Sequence, residues 1–203
     1  AVVIIPIVCL YLLQCLLVPK YASDIKEGAM IKEYYNSEKN HDVLILGDCE
    51  VYENISTVTM WENYGISSYI RGSAEQLIWQ SYYLLEDTLK YEKPQVVIVN
   101  VLAMTESDAK NEAYNRMTLD GMKLSKYKIA SIRESMTEEE NMASYIFPLL
   151  RYHSRWSELS SEDFRYMWKT PSVTTNGYLM QKGIRPVTTI PKAAPLANYT
   201  FSD

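Results

Sequence analysis

Only two histidines and three cysteines occur among the 203 residues, and no block of lysine or arginine appears anywhere. Without clustered cations the chain has no footprint for phosphate, so nucleic acid is excluded as a partner. The net charge of −5 and the pI near 5.2 agree with that exclusion. Three cysteines do not make a disulfide framework, and without a Cys-x-x-Cys pair a thiol redox protein is disfavoured. The two histidines do not form a zinc site with Cys49 on spacing. No metal and no cofactor is therefore expected. Phenylalanine is also scarce, three against 17 tyrosines and four tryptophans, and such polar-tipped aromatics suit half-buried packing. What is present, 47% hydrophobic and 22% charged residues, suits a folded chain and excludes wholesale disorder. The length allows one domain with a sizeable core or part of a larger one.

Residues 1–18, AVVIIPIVCLYLLQCLLV, carry no charge. As a helix they would span about 27 Å, close to a hydrocarbon core of roughly 30 Å. Residues 1–20 are thus expected as a transmembrane or signal-anchor helix, in which Pro6 is tolerated, and Cys9 and Cys15 act as small hydrophobes. The polar run over 21–40 reads as a stalk. The chain starts at Ala1 rather than Met and stops at Asp203 without a terminating element, which reads as a fragment.

Beyond the stalk the pattern is strand, helix, strand, helix, strand. The apolar run 42–48 suits a buried parallel strand. Ser56 opens a short helix that Gly65 closes. Residues 66–70 form a second strand candidate. Ser73 with Gln76 reads as a capping box for a helix over 74–91, with an apolar face through Ile78, Tyr82, Leu85 and Leu89. Pro94 leads into a third strand over 95–100. Such βαβ units with short links imply an α/β fold with a parallel sheet, residues 41–104 forming its core. Residues 105–170 read as a helical insertion or cap with helices near 123–135, 138–156 and 162–169. Thr137 and Glu140 box the second of these, whose apolar face holds Met142, Ile146, Leu149, His153 and Trp156, and Pro148 kinks it. Residues 171–203 begin with a hairpin on a type I′ turn at Asn176-Gly177.

The chemistry gathers around Leu44-Ile-Leu-Gly47-Asp48-Cys49-Glu50. A residue just after the first parallel strand stands at the ligand-binding edge of the sheet. Gly47 permits a tight turn, and Asp48 can hydrogen-bond loop amides. A helical turn after Cys49 would lower its thiol pKa. His41 precedes the first strand and reads as a surface residue. His153, on an apolar helix face, reads as a partly buried, satisfied histidine. Glu138-Glu-Glu140 reads as an acidic first helical turn rather than a metal cluster. The pairs Tyr34-Tyr35 and Tyr82-Tyr83 read as packing.

The strand running into Gly47-Asp48-Cys49 resembles the first sequence block of the SGNH (GDSL-like) hydrolase and acyltransferase superfamily, with Cys49 in the position of the serine nucleophile. Segment 42–104, with Trp61-Glu-Asn-Tyr-Gly, Arg71-Gly-Ser and Pro94-Gln-Val-Val-Ile-Val, is similar to membrane-anchored SGNH-type proteins of Gram-positive bacteria. The resemblance implies a flavodoxin-like (SGNH) parallel sheet, here incomplete. It also implies an esterase or O-acyltransferase acting on an extracytoplasmic glycan or cell-surface polymer, some relatives working alongside a membrane O-acyltransferase. Gly72 falls where the second block places its oxyanion-hole glycine. Asn100 falls near the third block, although Gly-x-Asn-Asp itself is not present. The Asp-x-x-His block that supplies the base is absent and is expected beyond Asp203. Localisation follows as a single-pass cell-membrane protein with its domain outside the cytoplasm. The alternative is a membrane-anchored SGNH-like module that binds a surface polymer or membrane partner without turnover, the Ser-to-Cys change having removed catalysis.

Overall fold

A computed structural model describes residues 4–105 and 111–179. The chain opens with α1 (Ile4–Leu17) and α2 (Glu27–Glu33), then β1 (Val43–Gly47), α3 (Cys49–Asn54) and α4 (Thr57–Tyr64). β2 (Ser68–Gly72), α5 (Ile78–Thr88) and β3 (Val96–Val99) complete the α/β part. Short helices follow: α6 (Glu112–Leu119), α7 (Lys126–Ser135), α8 (Met142–Ile146), α9 (Leu149–Tyr152) and α10 (Ser161–Arg165).

The three strands form one parallel sheet in the order β2-β1-β3, with Val43 opposite both Ser68 and Val96. β1 is buried along its whole length and feeds two cores by its pleat. Leu44 and Leu46 meet Ile31, Leu84, Leu119 and Ile132 on one face, and Val43 and Ile45 meet Met30, Tyr52 and Ile70 on the other. β3, at the edge, leaves all four residues exposed.

α4 forms as expected. Ser56 Oγ accepts from Thr59 N at 3.1 Å, and Gly65 ends the helix at φ 65. α5 departs from expectation by starting at Ile78, because Glu75 has a left-handed φ of 54 and breaks the turn. Ser73 and Gln76 are buried in contacts of their own, and Gln80 Oε1 accepts from Leu77 N at the true start. The expected apolar stripe is also rotated. Tyr82 and Leu89 are exposed, whereas Gln80, Ser81, Leu84, Asp87 and Thr88 face inward.

That polar face serves Arg71, a fully buried side chain on β2. Its guanidinium donates to Leu84 O at 3.0 Å, Thr88 Oγ1 at 2.8 Å, Asp87 Oδ2 at 3.3 Å and Tyr35 OH at 3.2 Å, with the Tyr34 ring 4.2 Å away. Residues 21–40, expected as a stalk, carry α2, and Met30, Ile31 and Tyr34 are buried in the core.

Among the described residues no helix is long and apolar enough to cross a membrane. The described part of α1, 14 residues, spans about 21 Å. Pro19 cannot continue it, and Lys20 Nζ folds back to donate to Cys15 O at 2.6 Å and Val18 O at 2.5 Å. The helical part is more broken than its periodicity suggests. Pro148 separates α8 from α9 instead of kinking one helix. Asn141 rather than Thr137 caps α8, accepting from Ala143 N at 2.8 Å. Glu140 accepts from Tyr145 OH and Asn115 Nδ2 rather than lying in a first helical turn. Asn176 (φ 48) and Gly177 (φ 79) make the expected turn, flanked by an antiparallel bridge from Thr175 to Tyr178. The remainder of 171–203, from 180 onward, lies outside the described residues.

Candidate functional site

The strand order fixes where a site can form. From β1 the chain moves to β2 on one side, then returns through α5 to β3 on the other. The connection out of β1 thus leads away from β3, and the crevice between the carboxyl ends of β1 and β3 corresponds to the usual ligand site of an open α/β sheet. Gly47, Asp48 and Cys49 leave β1 at this point, and Asn100 leaves β3 beside them.

Asp48 and Asn100 latch the two loops. Asn100 Nδ2 donates to Asp48 Oδ1 at 2.9 Å, and the Asn100 amide donates to Leu46 O at 2.9 Å. Asn100 Oδ1 accepts from Leu102 N at 2.9 Å, and Asp48 Oδ1 also accepts from Glu50 N at 3.0 Å, capping α3. Close packing dictates the glycines. A Cβ on Gly47 would lie 2.6 Å from Asn100 Cβ; one on Gly72 would lie 2.8 Å from Val51 Cγ2 and 2.9 Å from Gly47 O. Gly72 pairs in register with Gly47. The residues expected at the site, Gly47, Asp48, Cys49, Gly72 and Asn100, thus share one sheet edge.

Cys49 is the first residue of α3 and is partly exposed. Its thiol is not acidified as the sequence led one to expect. Burial raises its pKa first, and the carboxylates of Asp48 and Glu53 add to the rise, with Glu75 contributing less; its own backbone amide opposes them. One short helix turn does not outweigh burial beside three acids.

Neither histidine adjoins this edge. His41 is buried rather than superficial and lies near the opposite end of β1, its Nδ1 2.9 Å from Glu92 Oε2. His153 caps α9 and is exposed rather than half-buried, its Nδ1 2.9 Å from Leu150 O. Among the described residues no group of three or more His, Cys, Asp or Glu could hold a metal ion.

A second tier of residues was not legible as part of the site. Ser73, immediately after Gly72, hydrogen-bonds Thr118 Oγ1 on α6. Gln76 Nε2 donates to Arg71 O at 3.2 Å and Ser81 Oγ at 2.9 Å. Gln80 Nε2 donates to Asn115 Oδ1 at 2.9 Å, and Asn115 Nδ2 in turn to Ser135 O at 2.7 Å. This buried relay ties the Gly72 loop to α6 and α7. Its one sequence signal was polar residues inside a helical period, which local capping explained equally well. Comparison with protein-family models, with curated proteins and with solved structures finds no match to the chain.

Proposed function

We propose that the carboxyl edge of the sheet is an SGNH-like acyl-transfer site, an esterase or O-acyltransferase centre with Cys49 in the nucleophile position. Its substrate class would be an extracytoplasmic glycan or cell-surface polymer, and the uncharged α1 supports placement at a membrane. One observation carries the proposal. The ends of three strands stand side by side at the carboxyl edge, β1 joined to β3 by the Asp48–Asn100 hydrogen bond and to β2 by the Gly47–Gly72 pairing.

In this chemistry Cys49 Sγ attacks the acyl carbonyl carbon and its proton passes to a base. The amide of Cys49 and the second Nδ2 hydrogen of Asn100 would stabilise the oxyanion. The Gly72 amide lies on the same side of β2 as that of Ile70, which donates to Asn176 O, and so points away from β1. Gly72 serves the site instead by its close packing on Gly47 and Val51. The C–O bond then breaks, the leaving alkoxide takes the proton, and water or an acceptor hydroxyl cleaves the thioester. Neither His41 nor His153 is placed to take the thiol proton, so the base would come from residues beyond those described.

A second reading has its own support. The raised thiol pKa and the lack of a neighbouring histidine suit an SGNH-like module that binds a polymer or membrane partner without turnover.

Acyl capture separates the two. Incubated with p-nitrophenyl acetate and digested, the protein is expected to carry one acetyl group on Cys49, to lose it in Cys49→Ala, and to form the ester in Cys49→Ser. Unmodified Cys49, with ester turnover indifferent to Cys49→Ala, would assign the site to binding alone.

A further inference from the structure

α1 presents an unusual surface. Every residue from 4 to 12 is exposed, with Ile4, Ile5 and Ile7 at 60% or more, and none is charged. A helix that is apolar on all sides has no face for water, and a protein groove would cover only one of its sides. A hydrocarbon phase would cover it on every side.

The helical part adds to this surface. α1 packs against α9 and α10. Around it stand Phe147, Leu150, Trp156, Phe164 and Trp168, each more than half exposed. Trp168 lies 6.5 Å from Tyr11, and Phe147 and Leu150 line an apolar cleft of about 510 Å³ with Ile7 and Leu10. Arg155, beside Trp156, donates to Leu17 O. Phe147, Leu150 and Trp168 thus flank α1 from Ile7 to Tyr11, and Trp156 and Phe164 stand exposed on the same helical part.

We propose that this face, the exposed residues of α1 together with the aromatic collar of the helical part, seats the protein on a lipid bilayer. Tryptophan and tyrosine beside an uncharged helix, with Arg151, Arg165 and Lys169 exposed on the same helical part, are the residue types of a membrane–water boundary. Glu158, also exposed, offsets part of that charge. Binding therefore rests on apolar burial, with anionic headgroups a secondary aid. The inference shares the membrane placement of α1 and is independent of acyl transfer.

The test uses the full chain in single-tryptophan variants, the other three tryptophans being replaced by Phe, with vesicles of phosphatidylcholine carrying brominated acyl chains. Trp61 is an internal control, as exposed at 62% but on α4, which packs against β2. Trp156 and Trp168 are expected to be quenched and blue-shifted, and Trp61 unaffected. Adding phosphatidylglycerol should raise binding only a few-fold. Replacing Phe147, Trp156, Phe164 and Trp168 together by Ser should weaken partitioning by about tenfold or more. Vesicle binding with Trp156 and Trp168 unquenched would overturn the collar and leave α1 as sole anchor. Equal quenching of Trp61 would overturn the orientation. No vesicle binding, including the case where this face is instead buried in self-association, would overturn both the collar and the membrane placement.

Discussion

At Cys49 the physics of one residue decides what the site can do unaided. The position after β1 favours a reactive group, but burial and the carboxylates of Asp48 and Glu53 hold the thiol above its ordinary value of 9.0. A raised pKa means less thiolate at any given pH, and each unit costs about tenfold in the reactive form. In a Cys9→Ser/Cys15→Ser background, alkylation of Cys49 by iodoacetamide should be slow at neutral pH and still climbing past pH 9. Glu53→Gln should move the profile to lower pH without disturbing the latch. An inflection at or below neutral pH in the parent would refute this electrostatic account and strengthen the catalytic one.

At the scale of elements, turns are set by where the backbone must go, and their tolerance depends on what they touch. Gly65 and Gly177 both take left-handed φ values, 65 and 79. Nothing lies within 4 Å of a Cβ placed on Gly65, whereas one on Gly177 would fall 2.0 Å from Ile70 O. Ile70 N also donates to Asn176 O at 3.0 Å, so the turn is fastened to the middle of β2. Gly65→Ala should therefore cost about 1 kcal/mol, the strain of the conformation alone. Gly177→Ala should cost about 3 kcal/mol, since the turn must leave β2 and forfeit that hydrogen bond. Urea denaturation midpoints of the two variants check the difference, and equal losses would refute it. α5 teaches a related point. Its sequence period is helical, but Arg71 on the facing strand turns its polar side inward, so Asp87 and Thr88 are buried and Tyr82 is not.

At the scale of the molecule, cover on the sheet is uneven among the described residues. β1 is sealed on both faces, whereas Val96, Val97, Ile98 and Val99 are each 37–51% exposed. The apolar surface runs on through Val101, Leu102 and Met104. A strand apolar on both faces is built for an interior position, and standing at an edge it invites pairing with another strand. Ile98→Lys should accordingly change the stability of this chain by no more than about 1 kcal/mol. It should also lower self-association in light scattering and dye binding to exposed apolar surface. Ile45→Lys, one strand inward and fully buried, should prevent folding. A large loss of stability in Ile98→Lys would show that β3 is better covered than its exposure indicates.

By itself the sequence determined the three strands, the α4 helix between Ser56 and Gly65, and the Asn176-Gly177 turn. Each is specified by neighbours a few residues apart: an apolar run, a cap, a left-handed glycine. It also determined that Gly47-Asp48-Cys49 would stand at a strand's carboxyl end. Only the tertiary structure decided which apolar strand is central, since Val43-Leu-Ile-Leu and Val96-Val-Ile-Val read alike and differ only in what packs on them. It decided the inward face of α5, the true start of that helix, the burial of His41 against Glu92 and the joining of Asp48 to Asn100. It decided, too, that Cys49 sits among acids, because a pKa depends on burial and on charges brought close by folding, and Glu75 comes from another loop.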